Sequence, residues 1–264
     1  LGFYIFKWAR ELFSNKAGIL ALFLFSFSPT FLAHGRLVTT DVGAAFGVLV
    51  ASYYFIRVLK SPSKKNIILA GVFFGIAQLL KFSVILLLPF FVLLAFIWWL
   101  VKLGKFRQTL KILVLVFFLG FLLIWPIYQY HVLNYPVEKQ VRDSQVYLEN
   151  TIEPIKSLII WSADKPFLRA YAYYFTGLSM VFQRVVGGNT TFFLGEVSNQ
   201  GWKSYFPIVY AIKVPLAFHI LTIISLLYAV WLIRLRQGFG GQVKKLFQGI
   251  KRWIRAHFAE LAML

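Results

Sequence analysis

The chain has no cysteine, and only 9 acidic residues stand against 28 Lys and Arg. Without cysteine there can be no disulfide framework, thiolate metal site or cysteine nucleophile. Histidine is also scarce: His34, His131, His219 and His257 lie on different segments, with no pair at metal-ligand spacing. No Ser-His-Asp arrangement, phosphate-cradling loop or dinucleotide fingerprint can be read. A net charge of +19 could suggest a nucleic-acid partner, but its distribution argues against one. The basic residues gather in short clusters between apolar runs, as membrane topology signals do. Polar residues are too few to cover a globule of this size. The 264 residues are 59% hydrophobic and 19% aromatic, with mean hydropathy +0.73, so lipid must solvate much of the surface.

Six apolar stretches are present: 17–33, 42–59, 67–80, 83–100, 110–127 and 207–233. Most approach the roughly 20 residues that cross the hydrocarbon core as a helix. One helix over 67–100 would run about 50 Å against a core of roughly 30 Å, so a tight hairpin at Lys81 is expected instead. Segments 1–16, 57–66, 101–111 and 234–257 hold 3, 4, 4 and 7 basic residues, 18 of the 28. These mark the cytoplasmic side. Arg36, Asp41, Lys81 and the long segment 128–206 then share the extracytoplasmic face. The expected fold is all-α and polytopic, with about six transmembrane helices and both ends cytoplasmic, in a multi-pass cell-membrane protein. Three regions follow: helices 1–127 with a short outer loop carrying Asp41, an extracytoplasmic loop 128–206, and a last helix with a basic tail, 207–264. Leu1 to Leu12 reads as the tail of an apolar helix, and an N-terminally truncated chain is expected.

The long loop is too aromatic to stay solvated. Its Pro166 to Phe175 stretch predicts an interfacial helix. Gly187-Gly188-Asn189 and Ser198-Asn199-Gln200-Gly201 carry turn chemistry. Gly238-Phe239-Gly240-Gly241 lacks a flanking strand and reads as a flexible turn.

Charges at a membrane edge are costly unless they meet water or a polar ligand. Asp41 follows Thr39 and Thr40 directly before an apolar run, where a carboxylate suits a helix start and its dipole. The same carboxylate could bind a divalent metal ion or orient a sugar hydroxyl, and the two readings are compatible. Arg36 could pair with Asp41 or receive a phosphate bidentately. Lys81 is the only charge within 67–100. It is either a lysine snorkelling at a hairpin tip or a fixed ammonium for a lipid phosphate. Glu196 precedes Trp202, Tyr205 and Phe206. It is either a solvated loop acid or part of a sugar-stacking cluster. Asp41, Arg36, Lys81 and Glu196 are expected to converge on one outward-facing cavity.

Three blocks carry a resemblance. The first is Ser28-Pro29-Thr30 through Ala33-His34-Gly35-Arg36-Leu37-Val38-Thr39-Thr40-Asp41. The second is Leu79-Leu80-Lys81-Phe82-Ser83 ahead of Leu86-Leu87-Leu88-Pro89. The third is Phe193-Leu194-Gly195-Glu196-Val197-Ser198, then Gly201-Trp202-Lys203-Ser204-Tyr205-Phe206-Pro207 and Lys213-Val214-Pro215-Leu216. In that order they resemble bacterial membrane glycosyltransferases of the protein O-mannosyltransferase type, glycosyltransferase family 39 of the GT-C fold. The resemblance implies inverting transfer of a mannose-like sugar from a polyprenyl-phosphate donor to a protein hydroxyl or a glycolipid, outside the membrane. It implies that Asp41 is a supporting acid and a candidate metal ligand. It also places His34, Arg36, Lys81, Glu196 and Trp202 in substrate binding. The family's principal acid lies in a first outer loop, for which the sequence shows no counterpart. A polyprenyl-linked glycan transporter and a catalytically silent membrane subunit are the competing classes. Polar residues collected at one edge favour surface chemistry over the mid-membrane sites of transporters.

Overall fold

A computed structural model describes residues 1–37, 39–236 and 252–262. The expected turn at Gly238 to Gly241, much of the basic stretch 234–257 and Val38 lie outside the described residues. The fold divides into two units, one of residues 1–39, 100–103 and 202–264, the other of 40–99 and 104–201.

In the second unit, helix α4 (Asp41–Lys60) returns through a short loop into α5 (Lys64–Leu80). Ser63 starts α5 by accepting from the Asn66 amide at 3.2 Å, which satisfies one orphan donor of the first turn. Lys81 is extended (φ −162°, ψ 133°), so α5 stops there. A 3-10 turn (Phe82–Leu86) then leads into α6 (Leu87–Leu100). The apolar run 67–100 is thus broken at Lys81, as its length demanded. Helix α7 (Phe106–Val132) follows and carries Pro126 without ending.

Helix α5 packs along both α4 and α7, and small residues make this possible. A Cβ on Gly47 of α4 would lie 3.0 Å from the Ala77 Cα of α5. On the α7 side, a Cβ on Gly75 would lie 2.8 Å from the Gly120 carbonyl oxygen, and one on Gly71 would lie 2.5 Å from Leu119 Cβ. Where lipid offers no hydrophobic drive between helices, such backbone approach gives the contact its dispersion energy. Phe91 of α6 closes the bundle, stacked on Phe55 at 4.0 Å and tilted against Phe74 at 5.7 Å. The outer surfaces remain apolar: Val92, Leu93 and Phe96 of α6 and Val114, Phe118 and Leu122 of α7 are exposed, as lipid contact requires.

Beyond α7 the chain forms α8 (Val137–Tyr147), α9 (Glu153–Ala163) and α10 (Arg169–Gly187). These pack through Leu148, Ile159, Ala163 and Ala172. An antiparallel hairpin follows, β1 (Thr191–Phe193) and β2 (Glu196–Ser198), in the register Phe193↔Glu196. Its two-residue turn holds Leu194 at φ 51° and Gly195 at φ 94°, the left-handed geometry that tight hairpins need. This hairpin departs from an otherwise helical fold.

In the first unit, α1 (Gly2–Leu12) packs on α2 (Asn15–Ser26), and α3 (Pro29–Gly35) follows. A Cβ on Gly18 would lie 3.0 Å from the Phe6 carbonyl. Helices α11 (Tyr205–Lys213) and α12 (Leu216–Arg236) come last, before a short helix Phe258–Leu261.

Two of the six expected spans are bent rather than straight. The stretch 17–33 is α2 and α3 bent by 58°, and 207–233 is α11 and α12 bent by 105°. Proline drives the preceding residue out of the helical region. Ser28 (ψ 117°) before Pro29 and Val214 (ψ 132°) before Pro215 are accordingly extended. Three helices, Asp41–Lys60, Phe82–Leu100 and Phe106–Val132, are long and apolar enough to cross a membrane alone, or up to five if each bent pair is one span. The 17 residues of α5 rise about 26 Å and fall just short.

Glycine at a helix interior costs about 0.8–1 kcal/mol relative to alanine, so Gly75→Ala would stabilise the protein if only propensity mattered. The Gly120 carbonyl in its path should reverse the sign, with a loss of about 1–3 kcal/mol. Thermal unfolding in detergent, beside Gly187→Ala where the added Cβ meets nothing within 4 Å, tests this. Equal or higher stability of Gly75→Ala would refute the close packing.

Candidate functional site

Because α4 and α5 run antiparallel, the start of one lies beside the end of the other. Asp41 stands six residues before Gly47, and Lys81 stands four after Ala77. The Gly47–Ala77 contact therefore brings both charges to one end of the helix pair. The Lys81 Nζ lies 2.5 Å from Asp41 Oδ1. Asp41 occupies the first turn of α4, where the dipole favours a carboxylate. Thr40 precedes it without a side-chain capping bond.

The pair is partly solvated, with the lysine side chain 37% and the aspartate 49% exposed. Such an ion pair contributes only about 0–1 kcal/mol to stability. Fold stability alone is therefore a weak reason for this pair.

Lys81 is held from below and behind. Buried Gln78 donates through Nε2 to the Val84 carbonyl at 3.2 Å, and the Val84 amide bonds back to the Lys81 carbonyl. The next residue, Phe82, fills space that α10 leaves open at Gly177. A Cβ there would lie 2.5 Å from Phe82 Cζ. Tyr174, one turn earlier, meets the Phe82 ring at a centroid distance of 5.5 Å.

Helix α10 is itself anchored by a polar network. Arg169 donates through Nη2 to the Tyr135 carbonyl at 2.5 Å and through Nε to Gln140 Oε1 at 3.0 Å. The Gln140 amide returns a bond to the Arg169 carbonyl at 2.9 Å. Tyr135 Oη donates to Asp143 Oδ2 at 2.5 Å. Burial first, and then the Asp143 hydrogen bond and charge, push the Tyr135 hydroxyl up to about 12. Phe82 and Tyr174 lie in stretches that the sequence singles out for other reasons, and neither Gln78 nor Gly177 announces this packing.

Glu196 lies exposed on β2 and makes no ion pair among the described residues. Asp41, Lys81 and Glu196 belong to one unit, and His34, Arg36 and Trp202 to the other. His34 is in the last turn of α3, Arg36 follows that helix exposed, and the Trp202 carbonyl accepts from the Tyr205 amide at the start of α11. Among the described residues no group of three or more His, Asp or Glu side chains could hold a metal ion. Asp41 is engaged by an ammonium. Among the described residues this donor set does not fit a divalent ion.

The fold and this charged pair define a polytopic helical membrane protein with a polar site at one end of its central helix pair. Residues 1–128 match the family model of dolichyl-phosphate-mannose-protein mannosyltransferases. The matched span contains both Asp41 and Lys81, while Glu196 and Trp202 lie beyond it. The match points to a glycosyltransferase of the mannosyltransferase type. No match is found among curated proteins or among solved structures.

Two outcomes test this scaffold. Gly177→Ala should destabilise by about 1–3 kcal/mol by displacing Phe82. Adding Phe82→Leu, a smaller side chain, should recover part of that loss, and a strictly additive double mutant in thermal unfolding would refute the contact. Tyr135, with its hydroxyl raised, stabilises the fold fully below pH 10, and this contribution disappears as pH rises towards 12. The tyrosinate absorbance step missing from Tyr135→Phe should fall near pH 12. A missing step near pH 10 would contradict the Asp143 bond.

Proposed function

We propose that the protein transfers a mannose-like sugar from a polyprenyl-phosphate donor to a protein hydroxyl or a glycolipid acceptor on the extracytoplasmic face. The observation that carries this reading is the Asp41–Lys81 pair within the span matched by the mannosyltransferase family model. The reaction is a single displacement with inversion. The acceptor oxygen forms a bond to the anomeric carbon as the bond from that carbon to the phosphate oxygen breaks. The proton of the acceptor passes to a carboxylate, and the polyprenyl phosphate leaves with the electron pair. In this scheme Lys81 supplies a point charge that stabilises the departing phosphate, and Asp41 supports the acceptor side and holds Lys81 in place until the donor arrives. His34, Arg36, Glu196 and Trp202 are carried as further substrate-binding candidates on the sequence resemblance alone.

A silent membrane subunit and a glycan transporter are the readings to beat. The polar pair sits at a helix start and a helix end, not midway along a span, which suits chemistry at the membrane edge better than passage through the bilayer.

Asp41→Asn keeps the side-chain size and removes the charge. Protein level and unfolding temperature should change little, because a half-exposed pair is worth about 0–1 kcal/mol. Sugar transfer in membranes carrying the full-length protein, followed with a labelled polyprenyl-phosphate sugar, should fall by about 10²-fold or more. Lys81→Ala should act chiefly by raising the donor concentration needed for half-maximal rate. Undiminished transfer in both variants would put the silent subunit ahead.

A further inference from the structure

Helix α9 carries an apolar surface that its neighbours do not cover. Its inward side is accounted for: Ile159 and Ala163 are buried against Leu148 and Ala172. Ile155, Leu158 and Trp161 follow at three-residue spacing along one stripe, and they remain between 45% and 62% exposed. A polar edge runs beside the stripe. Ser157 donates to Glu153 Oε2 at 3.3 Å, and Lys156 pairs with Glu153 at 3.4 Å. The helix is therefore divided lengthwise into a protein-facing side, a solvated edge and an uncovered apolar stripe.

The position of this stripe identifies what covers it. Six residues past Trp161, Phe167 stacks on Trp125 of α7 at 4.9 Å, and its carbonyl accepts from Trp125 Nε1 at 2.8 Å. Trp125 lies at the end of the apolar run of α7, the helix whose best membrane window is only 22% buried within the protein. Tryptophans with a satisfied indole N–H concentrate where hydrocarbon meets headgroups. One turn deeper, Tyr171 stacks on Phe121 of α7 at 4.9 Å. The first half of α10 thus lies against α7 at the depth of that boundary, and tight turns join it to the end of α9. At that end Lys165 Nζ sits 5.5 Å over the Trp161 ring and pairs with Asp164 Oδ2 at 3.1 Å, a charged cap on the apolar stripe that suits the headgroup layer.

We infer that α9 lies on the bilayer surface at the Trp125 end of α7, with Ile155, Leu158 and Trp161 in the acyl boundary and the Glu153–Ser157 edge in water. The occupant of the stripe is lipid, and the outer helical layer rests on the membrane through α9. The position of α10 at the bilayer boundary is then set by lipid contact through α9 as well as by its packing on α7. This inference is independent of the transferase reading.

The cysteine-free chain allows single labels without background. Spin labels on Ile155→Cys, Leu158→Cys and Ser157→Cys would be compared in full-chain protein reconstituted into phosphatidylcholine vesicles with a minority of phosphatidylglycerol. Collision with oxygen, which partitions into lipid, is measured against collision with a water-soluble nickel chelate. The labels at 155 and 158 should favour oxygen several-fold over the label at 157. Nickel access at 155 and 158 equal to that at 157 would overturn the inference. Shielding of 155 and 158 from both reagents would also overturn it, since a protein surface would then cover the stripe. An immobile label on Ile159→Cys shows that α9 is folded in place, and a mobile label there would likewise count against the docked helix.

Discussion

The backbone contact between α5 and its two neighbours is the constraint on which the rest depends. Glycine at 47, 71, 75 and 120 removes side chains where helices would otherwise stand apart. Aliphatic side chains gain nothing by leaving lipid for one another, so close backbone approach must come from shape. Once α5 is seated, the relative height of α4 and α5 is fixed, and so is the encounter of Asp41 with Lys81. A larger residue at Gly47 would move the two charges apart without touching either.

A second chain of contacts runs to the same lysine from the other direction. Asp143 holds Tyr135, whose carbonyl holds Arg169 at the start of α10. Two turns further on, Gly177 receives Phe82, the residue after Lys81. The polar network sits at the end of α7 and the start of α10. Gln140, almost fully buried, uses both its amide nitrogen and its oxygen. Closer to Lys81 the contacts are largely aromatic, with Phe82 against Tyr174 and Tyr174 against Tyr128. Lys81 is therefore placed by a hairpin below it and by an outer helical layer beside it, two structures far apart in sequence.

Much of this was legible in the residues, and what was not has physical causes. Apolar runs and basic clusters disclosed the helices and the membrane, because hydrophobic length is a one-dimensional signal. Asp41 and Lys81 stood out because each is a lone charge in an apolar context. The break at Lys81 followed from length alone. The bends at Ser28 and Val214 could have been read from the prolines that follow them, but hydropathy averages over such residues. The hairpin at 191–198 is too short for periodicity to reveal, although Leu194-Gly195 carries the turn. The packing of Phe82 into Gly177, 95 residues away, has no sequence trace, since a glycine gap and the ring that fills it become complementary only after folding.

The strength of the Asp41–Lys81 contact bears on what it can do. A deeply buried pair would be locked, because separating it would strand two charges in low dielectric. This pair is partly exposed, so exchanging one anion for another at the ammonium does not strand a charge in low dielectric. A phosphate carries more charge and more acceptor oxygens than a carboxylate, and it would compete well for Lys81. The aspartate so released would turn to water or to an acceptor hydroxyl without leaving the start of α4, where the helix dipole favours a carboxylate. In the proposed reading, one resting ion pair thus becomes two working groups when the donor arrives. Because the 3-10 turn fixes the lysine backbone, that exchange asks only for side-chain motion.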